Sequence, residues 1–281
     1  MASLTSSNML QVVTPDPSGA GGLAYNDNFI SLAALGVDGI TGLHTSNGTD
    51  TSHDIDITVG AATDSTNANV LVLGTAITKQ IDASWSVGTA AGGLDTGSVT
   101  TSTWYAIWLI KRSDTGVVDA LFSTSFSSPT MPTNYDYKRY IGAVLTDGSS
   151  NIYGYTQTGN SFWWDAWVND LSDTTPATAI TTLRVSVPPI ACEWLGGGYF
   201  RSTVSNAERL LELIPGDKTA YGAGFQAVGY VLNQEVGMHV GAGFFTNSSG
   251  QIKYRSSHNT GYAFWIIRSF GWIDPRGRAV E

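Results

Sequence analysis

The run Trp104-Tyr-Ala-Ile-Trp-Leu-Ile-Lys-Arg-Ser-Asp-Thr-Gly-Val-Val-Asp-Ala-Leu-Phe122 decides the fold class. Its first seven residues are apolar and rich in aromatic and β-branched types, which is the signature of a strand buried on both faces. Ser113-Asp-Thr-Gly116 is a turn, and Val117–Phe122 is a second arm, so the whole reads as a β-hairpin. Seven residues are too few to cross a bilayer, which needs about 20 in a helix. Trp104 and Trp108 are an even distance apart, so one face of the strand is expected to carry both into the core.

The same punctuation spreads outward in both directions. Upstream, His53-Asp-Ile-Asp-Ile-Thr-Val59 alternates, and Asn69–Leu73, Ala76–Ile81 and Ser84–Val87 follow as short strands. Ala91-Gly-Gly-Leu-Asp-Thr-Gly97 reads as a glycine-rich loop. Downstream, Tyr140–Leu145 and Asn151–Tyr155 flank a turn at Asp147-Gly148. A second series starts at Ala179–Val187, stops at Pro188-Pro189, resumes near Cys192, and runs through Val228–Leu232, Met238–Phe245, Gln251–Arg255 and Tyr262–Ile267. Ser205-Asn-Ala-Glu208 fits a helix capping box, but Arg209–Ile214 also alternates, and among strands the strand reading is preferred. Turns recurring about every ten residues indicate sandwiches and not βαβ units. The expectation is an all-β chain of two antiparallel, jelly-roll-like β-sandwich domains. Residues 1–50 form a short, largely irregular N-terminal segment, 51–160 the first sandwich, 161–178 an aromatic linker and 179–281 the second sandwich.

Composition narrows the function. The chain has 281 residues, 13% charged, with 14 Lys and Arg against 23 Asp and Glu, a net charge of 14 − 23 = −9. An acidic chain does not neutralise phosphates, so neither nucleic-acid binding nor docking on an anionic membrane is expected. Cys192 is the one cysteine and reads as a small core residue, leaving packing and hydrogen bonds to hold the fold. The first thirty residues show no basic segment followed by an apolar core, so no secretory signal and no membrane insertion are expected.

Catalytic signatures are missing: no Gly-x-Ser-x-Gly elbow, no phosphate loop and no His-Glu-x-x-His. No catalytic residue, metal or cofactor is therefore expected. Asp54 and Asp56 would share one strand face and could serve glycoside hydrolysis across a sugar; the plainer reading is the polar side of a strand whose Ile55, Ile57 and Val59 face the core. His44, His53, His239 and His258 show no close ligand spacing, although a metal on a symmetry axis of identical subunits stays open. The nine tryptophans and twelve tyrosines fit core and interface more readily than sugar stacking. The interface candidates are Phe29 and Leu32 on a short capped segment, Trp163, Trp164 and Trp167 beside the linker, and Tyr153 and Tyr155 as exposed contacts.

Several ordered motifs carry a family resemblance. They include Asp54-Ile-Asp-Ile-Thr-Val-Gly60, Ile77-Thr-Lys-Gln-Ile-Asp82 with Trp85-Ser-Val-Gly88, Gly92-Gly-Leu-Asp-Thr-Gly97, Ile110-Lys-Arg-Ser-Asp-Thr-Gly116, Pro129-Thr-Met-Pro132 and Lys138-Arg-Tyr-Ile-Gly142. Thr14-Pro-Asp-Pro-Ser-Gly19 opens and Gly271-Trp-Ile-Asp274 closes the chain in the same manner. Together they resemble the tail-fibre-like structural proteins of bacteriophage and prophage virions. The resemblance implies a non-enzymatic part of the virion, assembled in the host cytoplasm and released by lysis. It implies a homotrimer bound to other virion proteins through residues 1–50, with the second sandwich facing outward towards a host surface glycan or receptor. A short tail fibre or adsorption protein is the first expectation, a capsid decoration protein or head fibre the second, and a surface-polysaccharide depolymerase the third.

Overall fold

The computed structural model describes residues 39–205, 208–219, 224–230 and 232–275. Phe29, Leu32 and the rest of the N-terminal segment to residue 38 lie outside the described residues. Among the described residues every regular element is a strand, so the chain is all-β. The first ten are β1 (Ile40–Gly42), β2 (Thr45–Asn47), β3 (Asp54–Ile57), β4 (Gly60–Thr63), β5 (Val70–Leu73), β6 (Ile77–Ser84), β7 (Ala91–Leu94), β8 (Trp104–Arg112), β9 (Val118–Ser123) and β10 (Tyr135–Leu145). The rest are β11 (Tyr155–Thr158), β12 (Ser161–Asp173), β13 (Thr181–Arg184), β14 (Glu193–Ser202), β15 (Arg209–Ile214), β16 (Phe225–Gly229), β17 (Glu235–His239), β18 (Gln251–Ser256) and β19 (Tyr262–Ile273).

The first ten form a three-stranded sheet, β1-β4-β5, and a seven-stranded one, β10-β8-β9-β7-β6-β3-β2. The last nine form a five-stranded sheet, β11-β12-β19-β14-β17, and a four-stranded one, β13-β18-β15-β16. The β8–β9 hairpin pairs Ile107 with Phe122 and Lys111 with Val118, and Gly116, at φ 75°, makes its turn. Arg209–Ile214 is a strand, as preferred.

Three readings need correction. The glycine-rich stretch at 91–97 begins with strand β7, which runs parallel to both neighbours. It fits there because it lacks side chains: a Cβ at Gly93 would lie 2.7 Å from the Phe122 ring. The first sandwich starts before residue 51, since β1 pairs with β4 and β2 with β3, and Leu43 between them is fully buried. The linker expected over 161–178 is mostly strand β12, thirteen residues long and hydrogen-bonded to β11 and β19.

No linker separates the two halves. One hydrophobic core runs from Leu43 to Trp272 and takes side chains from both. At the junction Phe162 and Trp272 stack in parallel at 4.7 Å, and Trp272 meets Trp104 edge-on at 5.4 Å. Polar ties follow the same seam: the Thr45 amide donates to Gln157 Oε1 at 2.7 Å, and Tyr140 Oη donates to Asp274 Oδ2 at 2.6 Å. Trp104 and Trp108 do not share a cluster. Trp104, at the start of β8, packs against the main core, whereas Trp108 lies in a separate cluster with Ala106, Ile110, Leu121 and Tyr135 on the other face of the seven-stranded sheet.

Candidate functional site

Strand alternation sorts the aromatic side chains of the five-stranded sheet. On β12, Phe162 and Trp164 point inward, while Trp163 is 45% exposed. On β19, Trp265, Ile267 and Ser269 are fully buried, and the alternate residues, including Arg268 and Phe270, line the opposite face.

Two irregularities then shape the outer face. β12 slips register against β19 between Trp163 and Val168, and β19 slips against β14 next to Phe270. Bulges of this kind re-aim side chains. Here they bring Trp167, 61% exposed, beside Phe270, with ring centroids 6.5 Å apart and planes at 72°.

Five side chains from four strands close into a ring of contacts. The Arg268 guanidinium lies 5.0 Å from the Trp167 ring and 5.5 Å from the Tyr199 ring. Tyr199 Oη and His239 Nε2 are 2.9 Å apart. The His239 ring lies 5.1 Å from that of Phe270, which returns to Trp167. Arg268 Nε donates to Asn169 Oδ1 at 2.8 Å, fixing the plane of the guanidinium. Its two Nη groups donate no hydrogen bond among the described residues. Gly237, opposite Tyr199, leaves room for that ring, because a Cβ there would strike Tyr199 Cδ1. Burial holds the Tyr199 hydroxyl above the usual phenol range, opposed by the Arg268 charge.

Beneath this cluster lies a polar chain. Trp194 Nε1 donates to Ser269 Oγ at 2.7 Å, and Ser269 Oγ donates to Asp170 Oδ2 at 2.6 Å. The Ser186 amide donates to Asp170 Oδ1 at 2.7 Å. Burial pushes the Asp170 carboxyl up to about 6, against the pull of these hydrogen bonds. The chain locks β12, β19 and β14 together under Arg268, so the outer cluster stands on a stiff support.

The interface candidates divide. Trp163 and Trp167 are exposed on the outer face. Trp164 is 7% exposed and buried within its own chain, packed on Trp104, Tyr153 and Trp272, with Nε1 donating to Ser186 O at 3.1 Å. Tyr155 is buried too, its hydroxyl donating to Thr45 Oγ1 at 2.8 Å, and Tyr153 is half-buried against Trp164. Neither tyrosine is the exposed contact expected of it, because the segment before β12 is folded into the junction between the halves. Spacing along the chain does not group Tyr199, His239, Arg268 and Phe270. They come from three strands and meet only through the sheet order.

Asp54 and Asp56 are half-buried on β3, with Ile55 and Ile57 inward. Asp56 Oδ1 accepts from Thr78 Oγ1 at 2.5 Å, the pattern of a strand's polar side. The Cys192 thiol is buried and pushed up to about 12 by that burial, so it is not a ready nucleophile. Among the described residues no group of three or more His, Cys, Asp or Glu is placed to hold a metal. Comparison with protein-family models, with curated proteins and with solved structures gives no match.

Proposed function

We propose that this chain is a structural component of a bacteriophage virion, acting as a short tail fibre or adsorption protein. The observation that carries the reading is the preassembled cluster of Trp167, Arg268, Tyr199, His239 and Phe270. It is an exposed recognition surface on a chain whose ordered motifs resemble virion structural proteins. Aromatic and arginine side chains are the types enriched where proteins bind partners. A second sandwich turned outward would present this surface to a host receptor. The reading assigns no catalytic residue and no cofactor.

A trimer of identical chains belongs to the same reading. Among the described residues β16 is hydrogen-bonded to β15 alone in its sheet and carries exposed Phe225 and Val228, with Tyr230 and Leu232 exposed just beyond it. Such an edge is a surface that a neighbouring copy would cover.

Labelled antibody on purified particles tests the assignment. Signal at the tail tip, together with blocked adsorption when free protein is added, is the expected outcome. Signal over the heads rejects the tail reading in favour of capsid decoration, and absence from particles rejects both. Attachment is tested by deleting residues 1–38. Deletion of 1–50 would also remove β1, β2 and the buried Leu43, and would confuse attachment with folding. Incorporation of the shorter chain at the wild-type level would reject attachment through the N-terminal segment.

A further inference from the structure

We propose that the outer-face cluster of the five-stranded sheet binds a carboxylate-bearing sugar residue of a glycan, with Arg268 pairing to the carboxylate and Trp167 lying against the C–H face of the sugar. The inference names the ligand of the adsorption reading, and it rests on that reading for the source of the glycan.

Arg268 is the centre of the argument. Its plane is fixed by Asn169 at 2.8 Å and by two aromatic faces at 5.0 and 5.5 Å. Here no acidic group pairs with it among the described residues, and its Nη edge is left with two parallel donors. That edge matches the two oxygens of a carboxylate. Because the fork is already ordered, a ligand meets it without the usual entropy loss of freezing a long side chain.

The surroundings select a sugar over other anions. The indole of Trp167 is mostly exposed and lies beside the guanidinium, so an apolar ring face and a paired donor edge adjoin. A uronic or sialic acid offers the same two features in one residue: a carboxylate and a face of C–H groups. Gly197, the ladder partner of both Arg268 and His239, adds no side chain between them. The other arginine of this face, Arg201, already has Glu235 at 4.0 Å. Among the described residues of this face, a single arginine without an acidic partner suits a single carboxylate; a nucleic acid would need a run of cations.

The test is titration of the purified full chain, read by tryptophan fluorescence and calorimetry. The probes are an oligogalacturonate and its methyl ester, and sialyllactose and lactose. At least one acidic probe is expected to bind, with its neutral counterpart about tenfold weaker or worse, the equivalent of about 1.4 kcal/mol. Arg268→Lys keeps the charge and loses the fork, and should weaken the acidic probe about fivefold or more. Trp167→Ala should weaken it about tenfold or more. Melting temperatures of both variants should match the wild type, which separates lost binding from lost folding. No binding by either acidic probe overturns the proposal, as does equal affinity for an acid and its neutral counterpart. Wild-type affinity in both variants overturns it too. So does self-association that Trp167→Ala abolishes, since this face would then be a contact between copies. Free protein that blocks phage adsorption yet binds no acidic probe removes this inference and leaves the adsorption reading. Acid-sugar binding by a chain absent from particles does the reverse.

Discussion

On the inner face of the five-stranded sheet, Phe162, Trp164, Trp194, Trp265 and Trp272 pack ring against ring and are at most 7% exposed. On the outer face, Trp163 and Trp167 are 45% and 61% exposed, and the neighbour of Trp167 is a guanidinium. The two faces share a backbone and alternate along the same strands, so residue type does not distinguish them. What differs is the partner. Inner rings gain from water exclusion and from fixed acceptors such as Ser186 O and Ser269 Oγ. Outer rings gain little from burial and are ordered by a cation that touches two of them. An aromatic ring held in place without being buried is available to bind something else. The inner face therefore accounts for stability, and the outer face is the one proposed for recognition.

The largest expected effect lies on the inner side. Trp272 is fully buried and contacts Phe162, Trp164 and Trp104. Trp272→Ala should cost about 3–5 kcal/mol, the range for truncating a large buried aromatic residue. Denaturant unfolding checks the figure and also the shared core. Because Trp104 comes from the first half and Trp272 from the second, the wild type should unfold in a single transition, and the variant's whole transition should move to lower denaturant. Two transitions, with only one displaced, would mean that the halves are stable separately.

The polar layer between the faces should respond to pH. Asp170 sits at about 6 in the folded chain against about 3.9 for a free aspartate. Its folded value is raised, so its favourable contribution is fully present below about pH 3.9 and is lost as pH rises through about 6. Stability from this group should increase from pH 7 to pH 5 by about 1 kcal/mol, out of about 3 kcal/mol for the full shift. His53, raised by its hydrogen bond to Asp50, works in the same direction. Asp170→Asn leaves His53 untouched, so the wild type minus variant difference isolates Asp170. Equal pH dependence in the two proteins would show that the carboxyl is ionised at no cost and that the layer is not a rigid support.

How far the sequence foretold this division depends on the residue. Alternation marked β3, with Ile55 and Ile57 inward, and the apolar run marked β8. It failed at Gly92-Gly93, where a strand has no side chains to alternate. Within the linker expected over 161–178 it failed at Asn169–Asp173 for the opposite reason: a strand with one solvated face and a bulge at Asp170 is as polar as a linker. Trp163, Trp164 and Trp167 read as one aromatic group, yet period two puts Trp164 on the buried side and Trp163 and Trp167 together on the other. The rest of the outer cluster left one trace in β19. Arg268 and Phe270 fall on the solvent parity of a strand whose other parity is Trp265, Ile267 and Ser269. An aromatic residue and an arginine sharing the solvent side of a strand are a recognisable sign, but Tyr199 and His239 join them only through the strand order.

The smallest expected effect on stability bears most directly on the contrast between the faces. Trp164 and Trp167 are three residues apart on one strand. Trp164→Ala opens the junction and should cost about 3 kcal/mol or more. Trp167→Ala removes a ring that is mostly in water and should cost about 1 kcal/mol or less. The favourable terms it loses are the edge contact with Phe270 and the contact with Arg268, which at an exposed site is worth about 0.5–1 kcal/mol. Arg268 would still be held by Asn169 and Tyr199. Parallel denaturation of the two variants reads the ratio directly. If Trp167→Ala costs as much as Trp164→Ala, the outer ring is structural and the recognition role fails. If it costs almost nothing, an indole is being kept in water, next to an arginine that has no acidic partner among the described residues, for a reason other than folding.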